Sequence, residues 1–311
     1  MSAVNDTKFQ PAVILLTGIP GQEKFHVWIS IPFCLMYIIS ILGNSVILFI
    51  IKTDPTLHEP MYIFLSMLAV TDLGLSISTL PTVLSIFWFN SREISFDACF
   101  AQLFFIHSLT FTESSVLLSM AFDRFVAICN PLRYDSILTP PRIAKMGLVS
   151  LLRGVGVVFP GIILLKQYRY CHANVLSHSY CLNQEVMKMA CSDVRALSIY
   201  SFFVTLASLG LDVLLILLSY VMILKTVLSI VSHAERLKAL NTCVSHVCVV
   251  LIFYTPEIGL SVIHRFVKNF SPLILSVMSN VYLLVPPVMN PVVYSVKTKS
   301  IRARIIKVFI K

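Results

Sequence analysis

The chain has 311 residues, 57% of them hydrophobic and 13% charged, whereas a soluble domain is roughly 45–50% apolar and about 25% charged. With a mean hydropathy of +0.85, this composition excludes an ordinary soluble domain and requires a chain built into a bilayer. The 24 Lys and Arg against 15 Asp and Glu leave a net charge of +9, but no basic stripe interleaved with stacking aromatics accompanies it, so nucleic acid is not the expected partner.

The first 26 residues contain no basic-then-apolar signal peptide with a cleavage site, so the first apolar run is expected to act as the insertion signal. Asn5-Asp6-Thr7 matches the N-glycosylation pattern. A spanning helix needs about 20 mostly apolar residues, and seven such runs follow, near 27–51, 60–88, 99–128, 143–165, 198–226, 239–263 and 273–294. Short polar connections separate them, except for the roughly 30 residues after the fourth run. There is no internal repeat or low-complexity linker. The expected architecture is therefore all-α: a seven-helix bundle at 27–294, between an amino-terminal segment at 1–26 and a tail at 295–311. An amino terminus outside puts fourteen of the 24 Lys and Arg on the inner side and nine on the outer side, with Arg153 inside the bilayer. This excess on the inner side sets the orientation and accounts for the positive net charge.

Charged groups inside these runs are expensive, so they face the bundle interior and bind an ion or one another. Asp72 and Glu113, at middle depth in the second and third runs, are read as holding a cation between them or sharing a proton. Arg153 and Asp212, in the fourth and fifth, are read as interhelical contacts. At the inner end of the third run Asp123 stands beside Arg124. A desolvated arginine without its carboxylate is costly, so the pair holds a resting state until a partner offers Arg124 other contacts. Phe125 follows, where a tyrosine would supply a hydroxyl.

In the sixth run Pro256 bends the helix, and Glu257, Ser261 and Arg265 recur at i, i+4 and i+8 on one face. His107 lies about 25 Å outward from Arg124 at 1.5 Å per residue, with Phe111 and Ser114 on a similar face, and Gln184 follows Cys181 in the long loop. These residues are expected to converge on an outward pocket. In the seventh run Pro291 frees a backbone carbonyl to which Asn290 can bond, and Tyr294 can swing as the bundle rearranges. In the tail, Ile301, Ile305 and Phe309 share one face among basic residues, the pattern of an amphipathic helix on an anionic membrane surface.

Cys34, Cys129, Cys243 and Cys248 lie in or beside apolar runs and read as small buried hydrophobes. Cys99, Cys171, Cys181 and Cys191 lie on the outer side, where two disulfides are expected and three pairings are open. A rival reading takes Cys171, His172, His178 and Cys181 as zinc ligands.

"GN" at Gly43-Asn44, "LHEPMYIFL" (Leu57 to Leu65), "MAFDRFVAICNPLRY" (Met120 to Tyr134), "CHANVLSHSYC" (Cys171 to Cys181), "KALNTCVSH" (Lys238 to His246) and "PPVMNPVVYS" (Pro286 to Ser295) occur in this order. Over nearly its whole length the chain thereby resembles an odorant receptor. "LTGIPG" (Leu16 to Gly21), "FWFNSREISFDAC" (Phe87 to Cys99) and "GLSVIHRF" (Gly259 to Phe266) resemble the class I, fish-like branch, subfamily 51 type. The resemblance implies a rhodopsin-like G-protein-coupled receptor of the plasma membrane, with disulfides Cys99 to Cys181 and Cys171 to Cys191. It also implies a sodium ion at Asp72, for which Glu113 is well placed as a second ligand, and no other cofactor. The implied partners are a small odorant and a heterotrimeric G protein of the stimulatory or olfactory type that raises cyclic AMP; membrane lipids surround the bundle.

For the class I branch the implied odorants are small carboxylic acids or similar polar volatiles, anchored at Arg265, whose guanidinium offers paired donors to a carboxylate. Glu257, about 12 Å inward along the same helix, would repel an acid that reached it unless it is protonated or paired, for instance with His107. It could restrict the pocket to short acids or favour a ligand that also carries a donor. A non-odorant or amine-bearing ligand and a membrane transporter are the alternatives. A retinal pigment is excluded, because 273–294 holds no lysine, and a transporter would show paired halves with broken helices. No nucleophile, base and oxyanion donors are grouped as an enzyme needs.

Overall fold

The structure of the chain, a computed structural model, describes residues 11–22, 25–171, 174–230, 232–267 and 271–309, without the side chains at 235, 238, 242, 264–266, 272, 299, 308 and 309. Asn5, His172 and the side chains of Arg265 and Phe309 therefore lie outside the described residues.

The helices are α1 (His26–Thr53), α2 (Pro60–Phe89), α3 (Phe96–Cys129), the single turn α4 (Tyr134–Ile137), α5 (Pro140–Lys166), the short α6 (Asn183–Lys188), α7 (Arg195–Leu228), α8 (His233–Phe266), α9 (Pro272–Lys297) and α10 (Lys299–Phe309). Seven of them, α1, α2, α3, α5, α7, α8 and α9, are long and apolar enough to cross a membrane. Local chemistry sets their ends. Proline opens α2, α5 and α9, where its fixed φ suits a first turn and its missing N–H costs nothing. The Ser95 hydroxyl accepts from the Ala98 amide and Asp97 sits in the first turn of α3, satisfying an orphan donor and matching the helix dipole. Asn90, with φ at 50°, closes α2 in the left-handed conformation that asparagine tolerates.

Burial identifies the axis of the bundle. The membrane-depth part of α3 is 72% buried, against 22% for α5 and α7, so α3 runs through the middle and the others surround it. Around it, Trp28, Leu42, Leu152, Phe203 and Leu217 point outward from α1, α5 and α7, an apolar surface suited to lipid. Packing between apolar helices in lipid relies on close backbone approach at small residues. Gly154 of α5 meets α3 in this way: a Cβ there would lie 2.5 Å from the Ser108 carbonyl oxygen. Gly43 likewise brings α1 against Pro291 of α9, at 3.0 Å.

A small sheet that the apolar-run analysis does not anticipate covers one end of the bundle. Strand β1 (Val13–Leu16) pairs antiparallel with β2 (Glu93–Ser95) and parallel with β3 (Val175–Leu176). Ile14 and Leu16 are buried among Phe96, Phe100, Tyr170 and the Cys99 to Cys181 disulfide. The chain then turns at Gly18, with φ at +72°, a conformation glycine adopts without penalty. Its carbonyl accepts from the Ser276 hydroxyl at 2.9 Å. The second disulfide joins Cys171 to Cys191. Because Cys171 and Cys181 belong to different bonds, neither thiol remains for a zinc site.

At the opposite end α9 continues to Lys297, past the expected end at 294, and α10 follows after one residue. Ile301 is fully buried and Ile305 packs against the main core, while Arg304 pairs with Asp54. The apolar face of this helix thus docks in part on the bundle.

An ion pair lies in the middle of the membrane-spanning region. Arg153 of α5 donates through Nη1 to both oxygens of Asp212 of α7, at 2.9 and 2.8 Å, and to Ser115 Oγ of α3 at 2.7 Å. Its Nη2 donates to the Ser208 carbonyl at 3.0 Å. Ser114 donates to Asp212 Oδ2 at 2.5 Å and shares a 2.6 Å bond with the Tyr254 hydroxyl of α8. Both charges are thereby paired and further hydrogen-bonded, which is the condition for keeping them in a low-dielectric interior.

Two outcomes are expected in thermal unfolding of the detergent-purified protein. Asp212→Leu or Arg153→Leu alone strands a charge and destabilises by about 3–5 kcal/mol, whereas the double variant loses less than the sum of the two. Gly154→Ala forces α3 and α5 apart against backbone and costs about 1–3 kcal/mol, read as a lower unfolding midpoint.

Candidate functional site

One helical turn from this network, toward the disulfide-bonded end, the helices part around a cavity of about 90 Å³. A single water needs roughly 10–15 Å³ on that measure, so there is room for a molecule of several heavy atoms. The cavity is lined at helical spacing. His107, Thr110 and Phe111 come from α3, and Glu257, Leu260 and Ser261 from α8. From α7, Tyr200, Ser201, Val204 and Thr205 repeat at i, i+1, i+4 and i+5. Gly161 of α5 leaves open space where a side chain would stand.

Five of the residues that the sequence brings to an outward pocket, His107, Phe111, Gln184, Glu257 and Ser261, line this one cavity. Arg265, the sixth, has its side chain outside the described residues. Ser114, expected on the same face, sits one turn deeper in the ion-pair network. Thr110, Tyr200, Asn183 and Tyr282 are lining residues that sequence reasoning missed. Thr110 was within reach, three residues from His107 on the same helical face. Tyr200 and Tyr282 were not, because a helix apolar on all sides carries no contrast that marks its inward face. The Tyr282 hydroxyl stands between two polar partners, hydrogen-bonding with Thr110 and with Glu257.

The roof is built from the long loop. Cys181 is tied to α3 by its disulfide, and its amide donates to Gln102 Oε1 at 2.9 Å. Gln102 Nε2 in turn donates to Ser78 O and Thr82 Oγ1 of α2, both at 2.9 Å. The Tyr180 hydroxyl donates to the Ser279 carbonyl at 2.8 Å, and burial pushes its ionisation well above the usual tyrosine range, so it stays a donor. Anchored in this way, the loop presents Leu182, Asn183, Gln184 and Met187 to the cavity.

Below the cavity the helices carry two further clusters. Asp72 and Glu113, with at most 1% of their surface exposed, are bridged by one amide. Asn290 Nδ2 donates to Asp72 at 3.1 and 3.2 Å and to Glu113 at 3.3 Å. This corrects the expectation that Asn290 bonds to the backbone freed by Pro291: two buried carboxylates are the stronger acceptors. Asn290 Oδ1 is buried without a hydrogen-bond partner, and the two carboxylates beside Asn290 Nδ2 are hard oxygen donors of the kind a hard cation takes. Among the described residues no group of three or more His, Cys, Asp or Glu is placed to hold a metal ion.

At the far end of α3, Arg124 is bonded to Asp123 through Nε at 2.8 Å and through Nη2, and Tyr134 donates to the other Asp123 oxygen at 2.7 Å. Tyr134 thus supplies a hydroxyl to this end where Phe125 has none. Burial, then the adjacent carboxylate, raise its ionisation above the ordinary tyrosine range. Tyr220 of α7 and His246 Nδ1 of α8 share a 2.6 Å hydrogen bond, and Tyr294, fully buried, points its hydroxyl at the Met120 sulfur, 3.9 Å away.

A cavity under a disulfide-tied roof, polar clusters stacked beneath it and an arginine pair at the far end describe a small-molecule receptor, and the comparisons with known proteins agree. A family model described as Olfactory receptor matches residues 33–311. Human Olfactory receptor 51G2 is 65% identical over 98% of this chain and 97% of its own length. Human Olfactory receptors 51G1 and 51L1 are 59% and 56% identical, covering 99% and 98% of this chain and 96% and 97% of their own. The chain belongs to the olfactory receptor family of G-protein-coupled, multi-pass plasma-membrane receptors, and it is not an enzyme.

Proposed function

We propose that this odorant receptor recognises a short carboxylic acid in the cavity between α3, α5, α7 and α8, and that it activates a stimulatory or olfactory-type G protein to raise cyclic AMP. The observation that carries the reading is the polar stripe of α8. Glu257 and Ser261 both line the cavity, and helical periodicity continues that face to position 265, where the sequence has an arginine. An arginine on that face would offer a carboxylate two parallel donors.

The same helix supports a route for the signal. Its outer half lines the cavity, Tyr254 joins the ion-pair network one turn below, and His246 bonds to α7 further along. A ligand that binds better to a second arrangement of α8 shifts the population toward it, and Arg124 then exchanges Asp123 for the G protein. The excess of Lys and Arg at the end opposite the disulfides supports an amino terminus outside, which would make Asn5 available for glycosylation. The units read from the sequence, 1–26 outside, 27–294 in the bilayer and 295–311 within, follow from that orientation. The basic face of α10 would then rest on anionic lipid. The paired carboxylates of Asp72 and Glu113 would take a sodium ion, which would hold α2 and α3 in the resting arrangement.

In cells expressing the chain, straight-chain acids are expected to raise cyclic AMP, and Arg265→Ala at equal surface expression is expected to shift the response about 10- to 100-fold to higher concentration. That is the range for losing a charge-assisted hydrogen bond of about 1.5–3 kcal/mol. Unchanged acid responses in the variant would refute the anchor. For the cation, replacing choline chloride by sodium chloride is expected to raise the unfolding midpoint of the purified receptor, and Asp72→Asn is expected to abolish the difference.

A further inference from the structure

On the Arg124 side of the Arg153 to Asp212 pair, a second cavity of about 410 Å³ lies in the wall of the bundle between α3, α5 and α7. Phe122 and Phe125 of α3, Met146 of α5, and Leu215, Leu218 and Met222 of α7 line it. We propose that this groove binds one anionic phospholipid from the leaflet on that side, with an acyl chain along Phe122 and the phosphate held by Lys145 and Lys225. The inference is independent of the odorant reading and uses a different part of the molecule.

The groove begins where the ion pair ends. Arg153 and Asp212 join α5 to α7, and Leu215 stands one turn past Asp212. Here α3, elsewhere the buried axis, reaches the outer surface: Phe122 is 38% exposed. On α7, Leu215, Leu218, Ser219 and Met222 recur at i, i+3, i+4 and i+7, a single stripe facing the groove. The hydroxyls of Ser119 and Ser219 donate to the Ser115 and Leu215 carbonyls of their own helices, both at 2.9 Å, and among the described residues that line the groove none is charged. An unfilled space of this size would leave its walls without contacts on one side, and in a bilayer the molecule at hand to fill it is a flexible hydrocarbon chain.

Charge decides which lipid. Lys225 follows Met222 by three residues, on the same stripe and nearer the end of α7 at Leu228. On α5, a Cβ at Gly147 would meet Met67 of α2. Lys145, two residues earlier, stands roughly 200° around the helix from that contact at about 100° per residue, on the side away from α2 and next to Met146. Both lysines are exposed, and among the described residues neither pairs with a carboxylate. Their flexible stems carry the ammonium groups to the level of the headgroups, where basic side chains attract anionic lipid. An apolar groove that ends in two cations complements a molecule with an apolar chain and a negative head.

The test uses the full-length receptor purified in detergent, with Trp28→Phe and Trp88→Phe removing its two native tryptophans and Phe122→Trp placing a fluorescent reporter in the groove. Phosphatidylglycerol or phosphatidylcholine with brominated acyl chains is titrated in, and quenching of the reporter is read. Phosphatidylglycerol is expected to reach half-quenching at a mole fraction about tenfold lower than phosphatidylcholine does. Lys145→Gln combined with Lys225→Gln is expected to bring the two lipids level without lowering the unfolding midpoint. Ser219→Phe, which fills the groove from the lipid-facing side of α7, is expected to remove the preference with both lysines in place. A reporter at Leu42→Trp instead, on the lipid-facing side of α1, is expected to show none. Equal quenching by the two lipids at Phe122→Trp, or no quenching, overturns the proposal and leaves ordinary bilayer contact only. So does a preference that survives the loss of both lysines. An equal preference at Leu42→Trp overturns it too, because the net positive charge of the chain rather than the groove then draws the lipid.

Discussion

The architecture depends on one constraint: Arg153 and Asp212 must satisfy each other where no water can. The pair joins α5 to α7, and the three hydroxyls around it bring in α3 and α8. In a bundle whose outer surface is as apolar as the surrounding lipid, hydrophobic burial does little to choose which helix faces which. A fully bonded ion pair does, because every alternative arrangement leaves a charge without partners. The positions of Ser114, Ser115, Ser208 and Tyr254 are all set by what this pair needs.

The cavity follows from that arrangement. It lies one turn above the pair on each of the helices concerned: Phe111 precedes Ser114, Thr205 precedes Ser208, Glu257 follows Tyr254 and Val157 follows Arg153. The floor of the binding site is therefore the structural centre of the protein, and anything that shifts α8 at Glu257 acts on Tyr254 within one turn. The roof is independent of this centre. It is held by the Cys99 to Cys181 disulfide, by Gln102 bonded to both α2 and the loop, and by a three-stranded sheet in which the amino-terminal segment is the middle strand. The roof is thus tied to α2 and α3, and the floor to α5, α7 and α8.

Farther along the axis the same economy recurs. One asparagine serves two buried carboxylates from α2 and α3, and one carboxylate, Asp123, serves both Arg124 and Tyr134. Each such shared partner ties separate elements to one side chain, Asn290 linking α9 to α2 and α3 and Asp123 linking α3 to α4. His246 with Tyr220 provides the corresponding contact between α7 and α8.

The sequence by itself determined the seven spans, the Asp123 to Arg124 pair, the two disulfides by resemblance, and the convergence of His107, Phe111, Glu257 and Ser261, because these are read from apolar length and helical period, which are local. It placed Arg153 and Asp212 as interhelical contacts but could not say that they find each other. Only the tertiary structure decided the pairing of Arg153 with Asp212, the bridging of Asp72 and Glu113 by Asn290, the closing of the roof by Val13 to Leu16, and the inward turn of Tyr200 and Tyr282. Each of these depends on a partner distant in sequence. A helix apolar around its whole circumference does not announce its inward face, and a four-residue strand has no partner until distant loops supply its edges.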